Sequence, residues 1–424
     1  MPQPGSLSKN IAALYALQFA SYVIPLLLLP WLTRTLGPAG FGRLSFSVAV
    51  MSYFLLLSDY GFNLSATRSV AVHRNEPGER SRIFWNTLAA KATLAMLGLP
   101  CLLVLASLLP RLAAERQLLL INFLTVIGAV CTPTWYFMGI ERQSVLSSIT
   151  IVARLSSVPV TWWLVRSPQD LPVAALIPGS VSIVCGLVSC GYLFRDGQIQ
   201  WVRVTARDLL QTLREGWHLF LSTASVSLYQ ATNTVVLGFL AGSVAVGHYS
   251  AAEKIVQVAQ SLLAPITQSL YPRVSRLMHE SRSEAFTLLR RILRIQGSLS
   301  LAISLTLLAA APLITGVLYG PRFAETTHVL RWLAPIPFLV ALSNVFGIQT
   351  MLPLGMSRTV ARILFGAGLL NVCLLFVLTP LFASSGTAMS VTTTELVVTV
   401  VMALILRRNN VPVVTPGLPV TQTS

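Results

Sequence analysis

Acidic residues are scarce in this 424-residue chain: 14 Asp and Glu stand against 30 Lys and Arg, and charged residues of all kinds make up only 10 % of it. A soluble domain carries roughly a quarter charged residues, so a water-facing globular surface is excluded. Cysteine is sparse too. Cys101, Cys131, Cys185, Cys190 and Cys373 lie singly in apolar segments, with no CxxC pair or histidine cluster beside them. That pattern reads as free thiols packed among helices rather than a disulfide framework or a metal site. No HExxH, GxSxG, P-loop or loop-borne acidic pair is present, which leaves no motif for a membrane-embedded polymerase or ligase.

What is abundant is apolar. Hydrophobic residues make up 54 % of the chain, mean hydropathy is +0.71, and stretches of about twenty apolar residues follow one another from Ile11 to Leu406. Each must be a helix, because backbone groups facing lipid are satisfied only within a helix or a closed barrel, and barrel strands would alternate with period two. Pro, Gly and charge punctuation predicts about twelve spans, near 11–35, 42–66, 83–110, 117–139, 143–165, 171–194, 215–240, 246–272, 295–319, 327–352, 358–381 and 386–406. Most Lys and Arg fall at the termini and after the even-numbered spans, which places both termini in the cytoplasm. The net charge of +16 is then mostly topology with some attraction to anionic lipid head groups, and requires no nucleic-acid partner. The first apolar stretch is too long for a secretory signal, and no small-residue cleavage site ends it.

"LGPAGFGRLS" (36–45) and "AGSVAVGHYS" (241–250) are related at an offset of 205 residues, which pairs Gly37 with Gly242, Gly42 with Gly247, Ser45 with Ser250 and, beyond the span, Arg68 with Arg273. "LPR" at 109–111 and "GPR" at 320–322 match at a slightly larger offset. A duplicated six-span unit is expected: residues 1–194 as one lobe, 195–214 as a basic cytoplasmic linker, 215–408 as a second lobe and 409–424 as a short tail. Six is even, so both halves enter from the same side and form a parallel repeat, an arrangement in which a substrate site lies between lobes. The glycines themselves suit tight extracytoplasmic turns.

At 100° per residue, Ser250, Lys254, Gln257, Ser261 and Gln268 form one stripe, and Ser45, Ser52, Asp59 and Asn63 a second. Ser222, Ser225, Tyr229 and Asn233 add polar positions on span 7, and Tyr15, Gln18 and Tyr22 on span 1. Asp59, Lys91, Arg154, Glu253, Lys254 and Glu395 put charge inside spans. At roughly 2.5–3.5 kcal/mol each when central and unpaired, they must be paired or wetted by a cavity. Arg154 shares a face with Ser147 and Thr161 and reads as a substrate-facing cation. Lys91 is close enough to a span end to snorkel, and Asp59 could be a structural partner of Arg68 or Lys91. Glu253 and Lys254 could neutralise each other.

"LPWLTRTLGPAGFG" (29–42), "SDYGFNLSATRSVAVHR" (58–74) and "VLRWLAPIPFLVALSNVFGIQTMLPLG" (329–355) resemble the bacterial O-antigen translocases. These are the polysaccharide-transport branch of the multidrug/oligosaccharidyl-lipid/polysaccharide exporter superfamily, and the resemblance runs from about Ser8 to Arg408. It implies an all-α inner-membrane protein with two six-helix lobes around a central cationic cavity lined by helices 1, 2, 7 and 8, where the polar stripes lie. It implies, too, a lipid-diphosphate-linked oligosaccharide as substrate, flipped from the inner to the outer leaflet by alternating access. Arg154, Lys91, Lys254 and Gln257 are then the substrate-binding candidates, with Arg34 and Arg43 at the outward exit. Asp59, Glu253 and Glu395 are candidates for coupling to a proton or sodium gradient, with no bound cofactor or metal. Membrane lipids and a polysaccharide polymerase are the implied partners. A drug-efflux carrier of the same superfamily is the alternative, distinguished by a cavity with few cations. In the repeat, Arg34 and Arg43 correspond to Phe239 and His248, so charge differs between the halves.

Overall fold

The computed structural model describes residues 4–413, without the side chains of residues 4–23, 25–26, 218, 221–230, 264–266 and 268–269. Tyr15, Gln18, Tyr22, Ser222, Ser225, Tyr229 and Gln268 of the polar stripes therefore lie outside the described side chains. Among the described residues every regular element is helical. The chain runs α1 (Pro4–Asp59), α2 (Phe62–Val72), α3 (Pro77–Leu108), α4 (Pro110–Ala114), α5 (Arg116–Cys131), α6 (Thr134–Gly139), α7 (Gln143–Leu164) and α8 (Leu171–Arg195). It continues through α9 (Ala206–Ser261), α10 (Ala264–Glu280), α11 (Arg282–Tyr319), α12 (Ala324–Leu333), α13 (Ile336–Phe346) and α14 (Ser357–Arg408), with a π turn at Gly347–Met351. Nine described segments are long and apolar enough to cross a membrane.

The duplicated glycines sit at duplicated breaks. Inside α1, Gly37 has φ 67 and ψ 176; inside α9, Gly242 has φ 83 and ψ −179. Positive φ with extended ψ is open essentially to glycine alone, so the two positions share one backbone requirement. It is conformational and not steric, because a Cβ built at either would meet nothing within 4 Å. Pro38 follows Gly37 and starts the next helical stretch, where its missing N–H and fixed φ do no harm. A third break, at Ala383 (φ 47, ψ −123), divides α14. The 52 residues of α14 would make a straight rod of about 78 Å, more than twice the roughly 30 Å of a hydrocarbon core.

Two compact units divide at Val235/Val236. In the first, α5 and α8 pack closely through small residues. A Cβ on Gly128 would approach Ser182 Cβ to 2.5 Å, and one on Gly186 would approach Cys131 Cβ to 2.6 Å. With lipid as apolar as leucine, such close backbone approach rather than hydrophobic burial holds helices together. An aromatic cluster of Phe62, Phe84, Trp135, Tyr136 and Phe137 fills the end of this unit around α2, α3 and α6. In the second unit, α10, α11, α13 and α14 enclose Val274, Phe286, Leu289, Val345, Met351, Met402 and Leu406.

Candidate functional site

Asp59 is the last residue of α1. Tyr60 (φ 45) and Gly61 (φ 77) then turn the chain into α2, and this break turns a membrane carboxylate into a local junction. Asn63 Nδ2 donates to Asp59 Oδ2 at 2.7 Å, and Lys91 Nζ of α3 donates to Oδ1 at 3.3 Å. The Lys91 side chain is 3 % exposed and that of Asp59 35 %. Lys91 is therefore enclosed with its counterion, and the carboxylate is the more open member. Gly61 allows the turn to press on α9, since a Cβ there would lie 2.9 Å from Leu219 Cβ. Tyr60 stacks on Phe220, with centroids 4.8 Å apart and planes at 14°.

Arg43 is also paired within the first unit. Its Nε donates to both oxygens of Glu115, at 2.8 and 2.9 Å, with side chains 43 % and 5 % exposed. The repeat position His248 has a carboxylate of its own within the second unit. His248 Nε2 lies 3.5 Å from Glu325 Oε2, with side chains 6 % and 51 % exposed. His248 Nδ1 is 3.0 Å from Thr326 Oγ1, and Ser384 Oγ donates to Glu325 Oε1 at 2.8 Å. A permanent cation in one copy is thus a titratable ring in the other.

Arg154 stands midway along α7 between Ser147 and Thr161, one helical face apart by seven residues on either side. Those two are buried while Arg154 is exposed, so the packed face opens at the arginine. Arg34 is exposed on α1 just ahead of the Gly37 break. In the second unit Lys254 is exposed and donates to Gln257 Oε1 at 3.0 Å; Glu253 beside it and Glu395 on α14 are half-buried. Some stripe hydroxyls turn back on their own helix: Ser52 Oγ donates to Ala49 O and Ser261 Oγ to Val258 O, each at 2.6 Å. Ser250 and Asn233 are buried.

Sequence reasoning missed the carboxylates Glu115 and Glu325, which are separated from their cations by more than seventy residues of chain. It also missed a cleft of about 250 Å³ in the first unit lined by Ser65, Ser69, His73, Arg82, Asn86 and Asp208. Arg82 Nη2 donates to Asp208 Oδ1 at 2.8 Å, and Thr205 Oγ1 to Oδ2 at 2.7 Å. The Arg82 hydrogen bond, then that of Thr205, holds the Asp208 carboxyl below the usual carboxylate range.

The sequence model of the polysaccharide biosynthesis protein family matches residues 7–278. The chain belongs to this family. An Escherichia coli (strain K12) protein described as an O-antigen transporter is 34 % identical over 404 residues, covering 95 % of this chain and 97 % of its own. A Shigella dysenteriae protein of the same description is 27 % identical over 402 residues, covering 93 % and 99 %. The fold is similar to that of a multidrug resistance MATE transporter of the MOP superfamily, a structure described as inward-facing, with TM-score 0.69 and 15 % identity over 96 % of this chain and 100 % of the other. It is also similar to that of the lipid II flippase MurJ, with TM-score 0.73 and 10 % identity over 94 % and 87 %. The chain is a multi-pass inner-membrane protein of a transporter family, not an enzyme.

Proposed function

We propose that this family member flips undecaprenyl-diphosphate-linked oligosaccharide from the cytoplasmic to the periplasmic leaflet by alternating access. It does so through twelve crossings with both termini cytoplasmic. The observation that carries the reading is the end-to-end relation to the Escherichia coli O-antigen transporter, at 34 % identity over 95 % of the chain. A sugar diphosphate cannot enter hydrocarbon, so the protein must offer it a wet cationic route while the polyprenyl tail stays in lipid. Arg154 and Arg34, both exposed, and Lys254, held by Gln257, bind phosphate oxygens by charge-assisted hydrogen bonds. Lys91 and Arg43, already engaged by Asp59 and Glu115, hold the shape of the route. Moving a head group of charge about −2 outward through a negative-inside potential releases up to roughly 4–5 kcal/mol per 100 mV. Inward flow of a proton or sodium ion through Asp59, Glu253 or Glu395 adds to this.

A drug carrier is the second reading, favoured by the MATE fold. Binding separates them: the flippase takes up a polyprenyl diphosphate, the carrier a lipophilic cation. The decisive variants are Arg154→Ala and Arg154→Lys, with membrane abundance and translocation of labelled lipid-linked sugar measured together. The alanine variant is expected to insert normally and to lose translocation, and the lysine variant to keep part of it, since charge persists while the planar fork is lost. Full translocation by Arg154→Ala removes the arginine from the substrate's route. Low abundance restored by adding Glu395→Gln assigns it to an ion pair instead.

A further inference from the structure

A second concave site lies within the second unit, where α10 meets α11. It encloses about 260 Å³, lined by Leu270, Leu288 and Ile295 with Arg273 and Arg291, and Gln296 among its lining residues. Gln296 is buried and donates from Nε2 to Thr267 Oγ1 at 3.0 Å. The two arginines are exposed and, among the described residues, have no carboxylate, carbonyl or ring partner. Their neighbours do: Arg276 pairs with Glu280 at 3.8 Å, and Arg290 donates to Phe286 O at 3.4 Å. The depth follows from α11, which ends at Tyr319 against Gly320. About twenty residues span the hydrocarbon core, so counting back from Tyr319 brings the core's edge to about Ser300. Gln296 and Ile295, four and five residues further along α11, then lie in the head-group layer about 6–8 Å beyond that edge.

Two unpaired cations over an apolar floor at that depth match one chemistry, a phosphate monoanion carried on hydrocarbon. The geometry points to a binding site for an anionic glycerophospholipid: phosphate on Arg273 and Arg291, the glycerol and first acyl carbons against Leu270 and Ile295. The volume is below the about 300–1,000 Å³ that encloses a drug-sized ligand, so only the phosphate and adjoining carbons enter, and an oligosaccharide does not. Basic pockets between membrane helices on the cytoplasmic side bind anionic lipid in this way. The proposal requires that the chain sit in a bilayer and takes only its choice of leaflet from the topology above; it is independent of what the protein flips.

The test uses the full-length protein in phosphatidylcholine nanodiscs titrated with phosphatidylglycerol, with retained lipid counted by native mass spectrometry and heat resistance read in parallel. Wild type is expected to retain phosphatidylglycerol over phosphatidylcholine. Arg273→Gln with Arg291→Gln is expected to weaken that retention by about thirty-fold, two charges at about 1 kcal/mol each. Ile295→Trp, which fills the floor and keeps both charges, is expected to lose it as well. Arg407→Gln with Arg408→Gln removes equal charge elsewhere and is expected to retain the lipid. Equal retention by wild type and the Arg273/Arg291 variant overturns the site. So does an equal loss in the Arg407/Arg408 variant, which would mean general surface attraction. Displacement of the lipid by millimolar inorganic phosphate reassigns the pocket to a free anion. Translocation is assayed separately, so its failure does not bear on the lipid count.

Discussion

Asp59→Asn isolates the most enclosed charged side chain among the described residues, that of Lys91. With the carboxylate gone, the Lys91 ammonium keeps 3 % exposure and, among the described residues, has no other acceptor within hydrogen-bond reach. At 3.3 Å and an effective dielectric of about 20, the lost attraction is about 5 kcal/mol. Asp59 is partly open to solvent, which screens the pair, so the lower end of the 3–5 kcal/mol for breaking a buried pair applies, about 3 kcal/mol. Lys91→Met costs less, because the orphaned carboxylate keeps Asn63 at 2.7 Å and its opening to water. Combining the two changes leaves no stranded charge. Abundance in membranes and survival after a heat step, read by fluorescence-detected size exclusion, are therefore expected to fall most for Asp59→Asn, less for Lys91→Met, and to recover in the double variant. Wild-type heat resistance for Asp59→Asn would refute the reasoning. Recovery of abundance without recovery of translocation would give the carboxylate a coupling role on top of its structural one.

The duplicated glycine breaks were legible because glycine and proline punctuate helices for local reasons. "LGPAG" and "LAGSV" announced two turns, and the structure places Gly37 and Gly242 in the same left-handed, extended conformation. Less legible were breaks within apolar runs. The stretch read as one span at 42–66 stops at Asp59, that at 117–139 is split at Thr132 and Pro133, and that at 327–352 passes through Pro335 and a π turn. Mean hydropathy does not register such interruptions, since the broken segments stay apolar and neighbouring helices satisfy the freed groups. Charges inside spans could be read as needing a partner, and for Lys91 the partner was among those weighed. The partners of Arg43 and His248 were not visible, because Glu115 and Glu325 stand at the starts of other helices and no periodicity links them.

Three further outcomes follow from the same contacts. Gly37→Ala and Gly242→Ala are each expected to cost about 1–3 kcal/mol of strain, read as lower heat resistance, while Gly191→Ala, in open helical space, is expected to cost nothing. The Arg82–Asp208 bond stabilises the protein above the ordinary carboxylate value of 3.8 and is lost as pH falls through the lower folded value; Asp208→Asn is therefore expected to lower stability slightly at pH 7 and to make the loss on acidification correspondingly smaller, with no difference from wild type at the acid limit. The carboxylate contacts at the two repeat positions give the last. Arg43→Gln strands Glu115, which is 5 % exposed, whereas His248→Gln releases Glu325, which is 51 % exposed and keeps Ser384 as a donor at 2.8 Å. A buried carboxylate without its cation costs about 3 kcal/mol or more; a solvated one costs about 1 kcal/mol or less. Heat resistance is expected to fall several-fold further for Arg43→Gln, and Arg43→Gln with Glu115→Gln to regain most of it. Equal losses in the two single variants would mean that exposure does not govern these pairs. In that case the histidine copy would be as much a structural clamp as the arginine copy, and its substitution for a permanent cation would carry no functional meaning.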